Sequence, residues 1–487
     1  MNISTKLLKA AAGQGGGAGL DVDEVFSTFL YDGTGSAQSI NNGIDLSGEG
    51  GLVWLKSRTS AGSSNIYGNH RLYDTERGVL KSLLPDQNTD ETPLSPGGLT
   101  AFNSNGFTLG SNVRGNNSGT DYVSWTFRKE PKFFDIQTYT GDGTNGRQIS
   151  HNLGHNVGMA IIKKTSASGD WWVWHRSAPN NTMSILNDTN AFTTSAINSE
   201  FPAEVFGDGN FDQDPTSTFF EVSSYASNEN GVSYVAYLFA HHDGDGDFGP
   251  SGDQDIIKCG SYTGNGSDDG PTIDLGFEPQ WLLVKSADQA NKHWLIADVM
   301  RGWKASGEFA RLRPHRSDAE DTTNLFRPTA TGFKVTATGS DANTSGGSYI
   351  YMAIRRGPLA APTDATKVFA IDTRGASEPA YDSGFPVDFA IVREANSYAD
   401  WFVGSRLNQA RFFYTNKTDA EASASSFVFD YMDGWNSQTG SNSNLYAWMW
   451  KRAPSYFDVV AYTGTGSNRT VTHNLGAVPE MMWFFFF

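Results

Sequence analysis

The stretch YTGDGTNGRQISHNLG (residues 139–154) returns almost unchanged as YTGTGSNRTVTHNLG (residues 462–476). Its opening pattern, Tyr-x-Gly-x-Gly, also begins at Tyr31 and at Tyr262, so the chain carries it four times. Repetition at long, regular intervals is typical of tandem structural units. A phosphate-binding loop of similar composition would need a helix after it, whereas strand patterns follow here. The pattern therefore predicts a tight hairpin turn.

Each opening leads into the same order of sequence elements. An Asx-Leu turn such as Asn152-Leu153 follows the glycines, and an apolar strand such as MAIIKK (residues 159–164) comes next. A strand that contains Trp, a variable polar region and an alternating strand such as YVAYLFAH (residues 234–241) complete the unit. Alternation with a period of two marks a half-buried strand, and about six or seven such strands form one β-sandwich or jelly roll. The sequence therefore predicts an all-β fold of tandem β-sandwiches.

Proline-containing linkers after the alternating strands set the expected boundaries, because proline cannot extend a central strand ladder. The expected segments are an N-terminal arm with a Gly-rich leash, four β-sandwich units and the start of a fifth, at residues 1–24, 25–131, 132–248, 249–358, 359–454 and 455–487. The fourth unit has lost its opening pattern. The fifth stops within its third strand, which we interpret as a truncation or a reading-frame slip. Because each unit has its own strands and linker, we expect residues 133–242 to fold alone.

Composition and charge argue against several classes of partner. A net charge of −17 without a basic run would repel a phosphate backbone, so nucleic acid is not expected as a partner. Cys259 is the only cysteine, so an intrachain disulfide is impossible and synthesis in a reducing cytoplasm fits. The start of the chain has no apolar stretch of signal-peptide length, and no later run is long enough to cross a bilayer.

One candidate binding site is a pair of tryptophans in DWWVWHR (residues 170–176). Alternation places Trp172 and Trp174 on the same face of a strand, opposite Trp171. If their rings face solvent, they form a flat platform on which sugar rings can stack. If another unit covers them, they serve packing, and this second interpretation is favoured.

The second candidate site is the acidic linker HHDGDGDFGPSGDQD (residues 241–255). Asp243, Asp245 and Asp247 have the spacing of the first ligands of an EF-hand loop, which would allow a Ca²⁺ site. The pattern then breaks, because Phe248 occupies the place of the turn glycine and Gln254 that of the closing glutamate. A solvated acidic linker is the favoured interpretation, with Ca²⁺ as the alternative.

No catalytic constellation recurs among the units. His151 of the repeated HNLG element is replaced by Ile273 in the third unit, so this element indicates turn chemistry. The sequence contains no Gly-x-Ser-x-Gly elbow and no His-Glu-x-x-His motif. We therefore expect a protein that is not an enzyme, although a pair of carboxylates brought together only by the fold is left open.

The repeated openings, the strands MAIIKK and WLLVKS, and the closing strands YVAYLFA and YVSWTFR carry a resemblance to a known family. The chain resembles repeat-bearing virion proteins of marine bacteriophages, especially those that infect cyanobacteria. The resemblance covers nearly everything from about residue 25 onward, except the opening of the fourth unit. It implies concanavalin-like β-sandwiches in tail or appendage structural proteins, and it offers no catalytic residues to carry over.

The resulting functional expectation is a structural component of a phage virion, such as a tail fibre or appendage, that presents β-sandwiches for host attachment. Its expected partners are other virion proteins and host surface glycans, and the sequence leaves self-association open. Two alternatives stay open: a carbohydrate-binding adhesin outside a virion, and a tail enzyme that degrades capsule polysaccharide.

Overall fold

The computed structural model describes residues 19–59, 68–94, 97–111, 113–179, 182–193, 215–224, 226–338, 341–396, 399–437 and 444–485. Most of the expected N-terminal arm therefore lies outside the described residues. The regular secondary structure of the described residues is almost entirely antiparallel β-strand, which confirms the predicted all-β fold. Its helical segments are the one-turn α-helix Val113–Asn116 and the 3₁₀ turns Val22–Glu24, Val299–Arg301, Ala365–Lys367 and Arg406–Asn408. Among the described residues, no helix has the length and apolarity needed to span a membrane.

The first two units contain sixteen strands. Unit 1 has β1 (Phe26–Asp32), β2 (Gln38–Asn41), β3 (Gly51–Ser57), β4 (Arg71–Asp74), β5 (Lys81–Ser82), β6 (Thr92–Pro93), β7 (Leu99–Asn103), β8 (Gly106–Leu109) and β9 (Asp121–Arg128). Unit 2 has β10 (Phe134–Thr140), β11 (Arg147–Ser150), β12 (Val157–Lys164), β13 (Trp172–His175), β14 (Ser184–Ile185), β15 (Phe219–Val222) and β16 (Ser233–Ala240).

The next two units continue the pattern. Unit 3 has β17 (Ile257–Thr263), β18 (Thr272–Asp274), β19 (Pro279–Ser286), β20 (Leu295–Asp298), β21 (Phe309–Arg311), β22 (Asp321–Thr323), β23 (Phe326–Thr329), β24 (Gly332–Val335) and β25 (Ser348–Arg355). Unit 4 has β26 (Phe369–Thr373), β27 (Tyr381–Asp382), β28 (Phe389–Glu394), β29 (Phe402–Ser405), β30 (Arg411–Tyr414), β31 (Ala422–Ser423), β32 (Gly434–Trp435) and β33 (Leu445–Trp450).

One strand order recurs in the main sheets of these units. The orders are β1-β9-β3-β4, β10-β16-β12-β13, β17-β25-β19-β20 and β26-β33-β28-β29. The second strand of each unit pairs in a separate small sheet, as β2-β8, β11-β15, β18-β24 and β27-β32. Each unit thus has a main sheet and a small second sheet, as expected of a sandwich, and units 1 and 3 add the two-stranded pairs β5-β6 and β21-β22. The division of the chain at the proposed boundaries stays a prediction.

The Tyr-x-Gly-x-Gly element is a crossing between the two sheets and not the predicted hairpin, because the strands on either side of it belong to different sheets. In unit 2 a Cβ atom on Gly141 would lie 2.1 Å from the carbonyl oxygen of Glu229, so only glycine fits there. Gly143 has a φ of +77°, which side chains disfavour. The tyrosine that precedes them, Tyr139, stacks on Tyr234 of the neighbouring strand at 5.1 Å.

Both faces of the main sheets in units 1 to 3 are buried. In β3, for example, Val53 packs toward the small sheet of its own unit, whereas Leu52 and Trp54 belong to an apolar cluster that also contains residues of units 2 and 3. All seven residues of β3 are buried. The alternating pattern therefore marks two different cores, one inside each sandwich and one shared between units. The linkers led us to expect independent units, but the packing joins units 1, 2 and 3 through a common core.

The shared core changes the expectation for an isolated unit. A fragment of residues 133–242 would expose the apolar face that units 1 and 3 cover, so we expect it to unfold or aggregate, whereas residues 19–358 should fold and unfold in one transition. Circular dichroism and amide NMR spectra of both fragments test this. A dispersed spectrum from a monomeric 133–242 fragment would contradict the importance of the shared core.

Candidate functional site: the contacts between units 1, 2 and 3

In units 1, 2 and 3, an aromatic side chain immediately before the fourth strand reaches a neighbouring unit. The indole nitrogen of Trp171 donates to the carbonyl oxygen of Leu84 at 2.9 Å, from unit 2 to unit 1. Trp294 makes the same bond to Ile185 at 3.0 Å, from unit 3 to unit 2. In unit 1 this position is His70.

His70 makes the corresponding contact between units 1 and 3. Its Nδ1 accepts a hydrogen bond from the Trp54 indole at 2.9 Å, so its Nε2 carries the proton and donates to the carbonyl oxygen of Arg313 at 3.0 Å, from unit 1 to unit 3. Each unit thus donates from one position to one neighbour in the sense 1 to 3, 3 to 2 and 2 to 1. We call this arrangement the three-unit ring.

A buried lysine repeats the same cyclic contact. Lys56, Lys163 and Lys285 are each the penultimate residue of the third strand of their unit, and each is almost completely buried. Their ammonium groups donate to neighbouring-unit carbonyl oxygens at 3.3, 3.3 and 2.9 Å, and the acceptors are Ser317, Asn88 and Thr189. Each acceptor lies four residues after the carbonyl that receives the His or Trp donor. The aromatic donor and the lysine of one unit therefore bind the same edge of the neighbouring unit.

Main-chain hydrogen bonds join the same edges in all three places. The amides of Glu91, Phe192 and Glu320 donate to the carbonyl oxygens of Thr165, Ala287 and Arg58, at 3.0, 2.8 and 2.9 Å. Each pair joins one unit to the next along the cycle. The three interfaces therefore share main-chain geometry as well as side-chain contacts.

The last strand of each of these units, β9, β16 and β25, takes part in a further contact between units. Tyr237 of unit 2 donates its hydroxyl to the carboxylate of Asp74 in unit 1 at 2.7 Å, and the Trp125 indole of unit 1 donates to Asp298 in unit 3 at 3.1 Å. At the third interface, His175 of unit 2 contacts the Tyr351 carbonyl oxygen of unit 3 at 3.0 Å. Burial lowers the pKa of His175 to about 3, so this imidazole is neutral and hydrogen-bonds without a charge.

The acidic partners in these contacts are themselves held by arginine. Asp74 pairs with Arg77 at 2.6 Å, and Asp298 pairs with Arg301 at 2.7 Å, with all four side chains buried. A buried carboxylate needs such a partner, because removal from water disfavours its charge. The arginine allows the aspartate to accept a hydrogen bond across the interface without standing alone as a charge.

Burial lowers the pKa of all three interface lysines. The pKa of Lys285 falls to about 7, and the pKa values of Lys56 and Lys163 fall to about 8. A low lysine pKa often marks a catalytic group. Here each ammonium group is already bound to main-chain carbonyl oxygens on both sides of an interface, so the geometry is that of a structural contact.

The predicted aromatic platform is only partly accessible. Trp172 is 7% exposed and belongs to the apolar cluster that units 1, 2 and 3 share, and Trp174 is half-buried and packs against that cluster. Trp171, expected to fill the core, lies fully buried at the contact with unit 1. These positions agree with the packing interpretation, and glycan binding at Trp172 and Trp174 stays a prediction without support from their exposure.

The structure does not bring the predicted acidic ligands together. Asp243, Asp245 and Asp247 pair with three different basic side chains, at distances of 3.2, 2.9 and 3.6 Å. Their partners are, in order, Lys258, His155 and Lys132. The nearby Asp255 carboxylate instead accepts from the main-chain amides of Gly244 and Gly246. Within the described ranges, no three His, Cys, Asp or Glu side chains converge as a metal site would require, and Ca²⁺ binding stays a prediction.

Two further clusters of titratable groups are buried. Burial raises the pKa of Asp86 to about 7 near Lys56, at the interface between units 1 and 3. Glu278 lines a cavity of about 150 Å³ and binds Arg452 through both carboxylate oxygens, at 2.8 and 3.1 Å. Arg452 also lies 3.8 Å from Asp388, so these groups join units 3 and 4.

Sequence reasoning missed the interface lysines, although their signal was present. The strands MAIIKK and WLLVKS both carry Lys at the same place, and GLVWLKS of unit 1 does too. A lysine at the end of an apolar strand is usually solvated. Its recurrence at one strand position was the sign of a shared contact.

Comparison with known proteins adds a family but no activity. Residues 21–358 match a family described as a domain of unknown function, DUF7483. This match spans the three-unit ring. Neither the curated proteins nor the solved structures contain a match to the chain.

The Tyr237 contact predicts a loss of stability on removal of one hydroxyl. Tyr237→Phe deletes a buried hydrogen bond to the Asp74 carboxylate, and we expect the free energy of unfolding to fall by about 1.5–3 kcal/mol. The matched control is Tyr431→Phe, which removes a more exposed hydroxyl from Glu378 and should cost less than about 1 kcal/mol. Denaturant unfolding of both variants measures the difference. Equal effects would count against a ring contact at Tyr237.

The lowered pKa of Lys285 predicts a pH-dependent stability. Between about pH 7 and the ordinary lysine pKa near 10.5, the unfolded chain binds one more proton than the folded chain, so this residue makes stability rise with pH. Relative to Lys285→Met, the free energy of unfolding should therefore increase by up to about 1.4 kcal/mol per pH unit between pH 7 and 9. Lys81→Met, at a half-exposed side chain, is the control and should leave the slope unchanged. A wild-type slope equal to that of Lys285→Met would exclude the effect.

Proposed function

We propose, for a chain that belongs to the DUF7483 family, a non-enzymatic structural role in a bacteriophage particle, as a tail fibre or appendage component that presents β-sandwiches for host attachment. Its location would be the virion, assembled after synthesis in the host cytoplasm. Its partners would be other virion proteins and host surface glycans.

The observation that carries this proposal is the use of the recurring polar side chains. Lys56, Lys163 and Lys285, together with the His or Trp donors, bind main-chain carbonyl oxygens of neighbouring units. Catalysis requires groups held toward a substrate at fixed geometry. Groups that occupy equivalent places in three interfaces serve a rigid scaffold instead, and a scaffold is what a particle component requires.

The variable loops fit the attachment half of the proposal. The polar regions between the fourth and the penultimate strands differ in length and sequence from unit to unit, although in units 1, 2 and 3 each also supplies the main-chain acceptors of one ring contact. Recognition by proteins is commonly carried by loops on a constant scaffold. Several weak contacts on one particle also reinforce one another through effective concentration.

The enzymatic alternative can be considered at the cavity that Glu278 lines. A polysaccharide hydrolase needs two carboxyl groups facing each other across an open cleft, about 5–10 Å apart. Glu278, at the cavity of about 150 Å³, and the neighbouring Asp388 are both paired with arginine. Such pairing leaves neither group free for acid–base chemistry.

Mass spectrometry of purified particles of the encoding phage tests the virion assignment, and we expect peptides from all units at a constant ratio to the other virion proteins. Absence of the chain from purified particles would overturn it. Incubation of the pure protein with host surface polysaccharide tests the non-enzymatic assignment. Release of oligosaccharides that is lost on replacement of one carboxylate would show an enzyme instead.

A further inference from the structure

The fourth main sheet carries the same face that the three-unit ring buries. By strand register, Trp448 of β33 stands where Trp125, Tyr237 and Met352 stand in the other closing strands. Those three residues are buried in the shared core. On the fourth sheet, by contrast, this face includes Ile371 at 55% and Tyr446 at 39% exposure. An apolar face that its siblings bury is therefore partly open to solvent.

The C-terminal segment, residues 455–485, covers one end of this face. Phe457 packs on Phe389 at 5.3 Å, and Phe485 packs on Phe413 at 5.0 Å. The segment sits on unit 4 as the start of unit 2 sits on unit 1. Phe457 packs on Trp450 of β33 at 6.2 Å, as Phe134 packs on Phe127 of β9 at 5.5 Å.

The open end carries the residues that, in unit 1, contact unit 3. Trp401 precedes the fourth strand as His70 does, and Arg393 is penultimate in the third strand as Lys56 is. In the ring these positions donate to carbonyl oxygens of the neighbour. In unit 4, Trp401 stacks on Trp448 at 5.5 Å and the Arg393 guanidinium lies 4.9 Å from the Trp401 ring. The buried Nε of Arg393 has no hydrogen-bond partner among the described residues.

Unit 4 also carries the complementary edge. Tyr414, at the end of β30, pairs with Phe402, the first residue of β29. Ile185, whose carbonyl oxygen accepts the Trp294 indole, pairs in the same way with Trp172, the first residue of β13. The Tyr414 carbonyl oxygen therefore occupies the acceptor position of the ring contact. One unit thus holds both halves of a head-to-tail interface.

We propose that the fourth sheet is a self-association surface, on which the Trp401, Trp448 and Arg393 end of one chain binds the β30 edge of a second copy. A head-to-tail contact closes into a ring when its rotation permits, and in this chain the same contact closes after three units. The assembly is therefore a trimer. Because the contact needs a second copy of the chain, association rises with concentration.

This inference does not depend on a virion function, because it concerns the isolated protein. Sedimentation velocity of the full chain over a concentration series is the test, and we expect conversion from monomer to trimer. Trp448→Lys and Ile371→Lys should weaken association by about 30-fold or more, as expected when a central interface side chain is lost. Val79→Lys is the matched control, because Val79 is 39% exposed but lies in unit 1, and it should leave association unchanged.

Ile371→Lys keeps the test decisive if Trp448→Lys misfolds, because a residue that is 55% exposed contributes little to the fold of its own chain. Thermal unfolding of each variant checks that the fold is kept. A strictly monomeric wild-type chain at all concentrations would overturn the proposal. So would association that both lysine variants preserve, or binding of host polysaccharide by the monomer that Trp448→Lys abolishes, which would assign the face to glycans.

Discussion

Burial of both faces of the main sheets is the constraint on which the rest of this structure depends. An antiparallel sheet usually packs one face on a core and leaves the other to water. In units 1 to 3 the second face is apolar as well, with Trp54, Trp125 and Trp281 in one cluster that crosses the unit boundaries. A single sandwich cannot bury that face. The units must therefore cover one another, and the proline linkers connect parts of one packed body.

Covering these faces buries main-chain carbonyl oxygens, and the recurring side chains supply hydrogen bonds to them. When sheet edges meet, main-chain carbonyl oxygens lose water and need donors, because an unpaired buried polar group costs about 1–3 kcal/mol. Trp171, Trp294 and His70 supply one donor each, and the buried lysines supply another. Lysine is a costly choice in an apolar site, and the lowered pKa values express that cost. Its long stem nevertheless places donors on carbonyl oxygens of two units at once.

The strands and sheets of the sandwiches could be predicted from the sequence, whereas the contacts of the three-unit ring could not. Local features were predictable: the glycines after Tyr139 and Tyr262 predict tight backbone geometry, and the alternating strands predict the sheets. The hairpin interpretation was wrong because pairing partners are set at long range, here by the penultimate strand. Trp171 was assigned to a core correctly, but a periodic pattern does not say whether that core belongs to one unit or is shared. The cyclic order of contacts depends on relative unit positions, which no local motif encodes.

The fourth unit lacks the opening pattern of the other units but keeps their apolar outer sheet face. It has lost the stacked tyrosine pair of the openings: Arg374, just after β26, and Leu445, the first residue of β33, stand where Tyr262 and Tyr349 stand in unit 3. Its outward face has not become polar to match. Trp401, Trp448 and Trp450 lie there, half-buried, beside the exposed Ile371. Phe457 of the C-terminal segment packs on Trp450 at 6.2 Å, whereas Trp401 and Trp448 stack on each other at the open end. A face that meets another sandwich needs such large apolar groups at its centre. The aromatic character of this face is therefore better explained by contact with a further sandwich than by the packing of unit 4 itself.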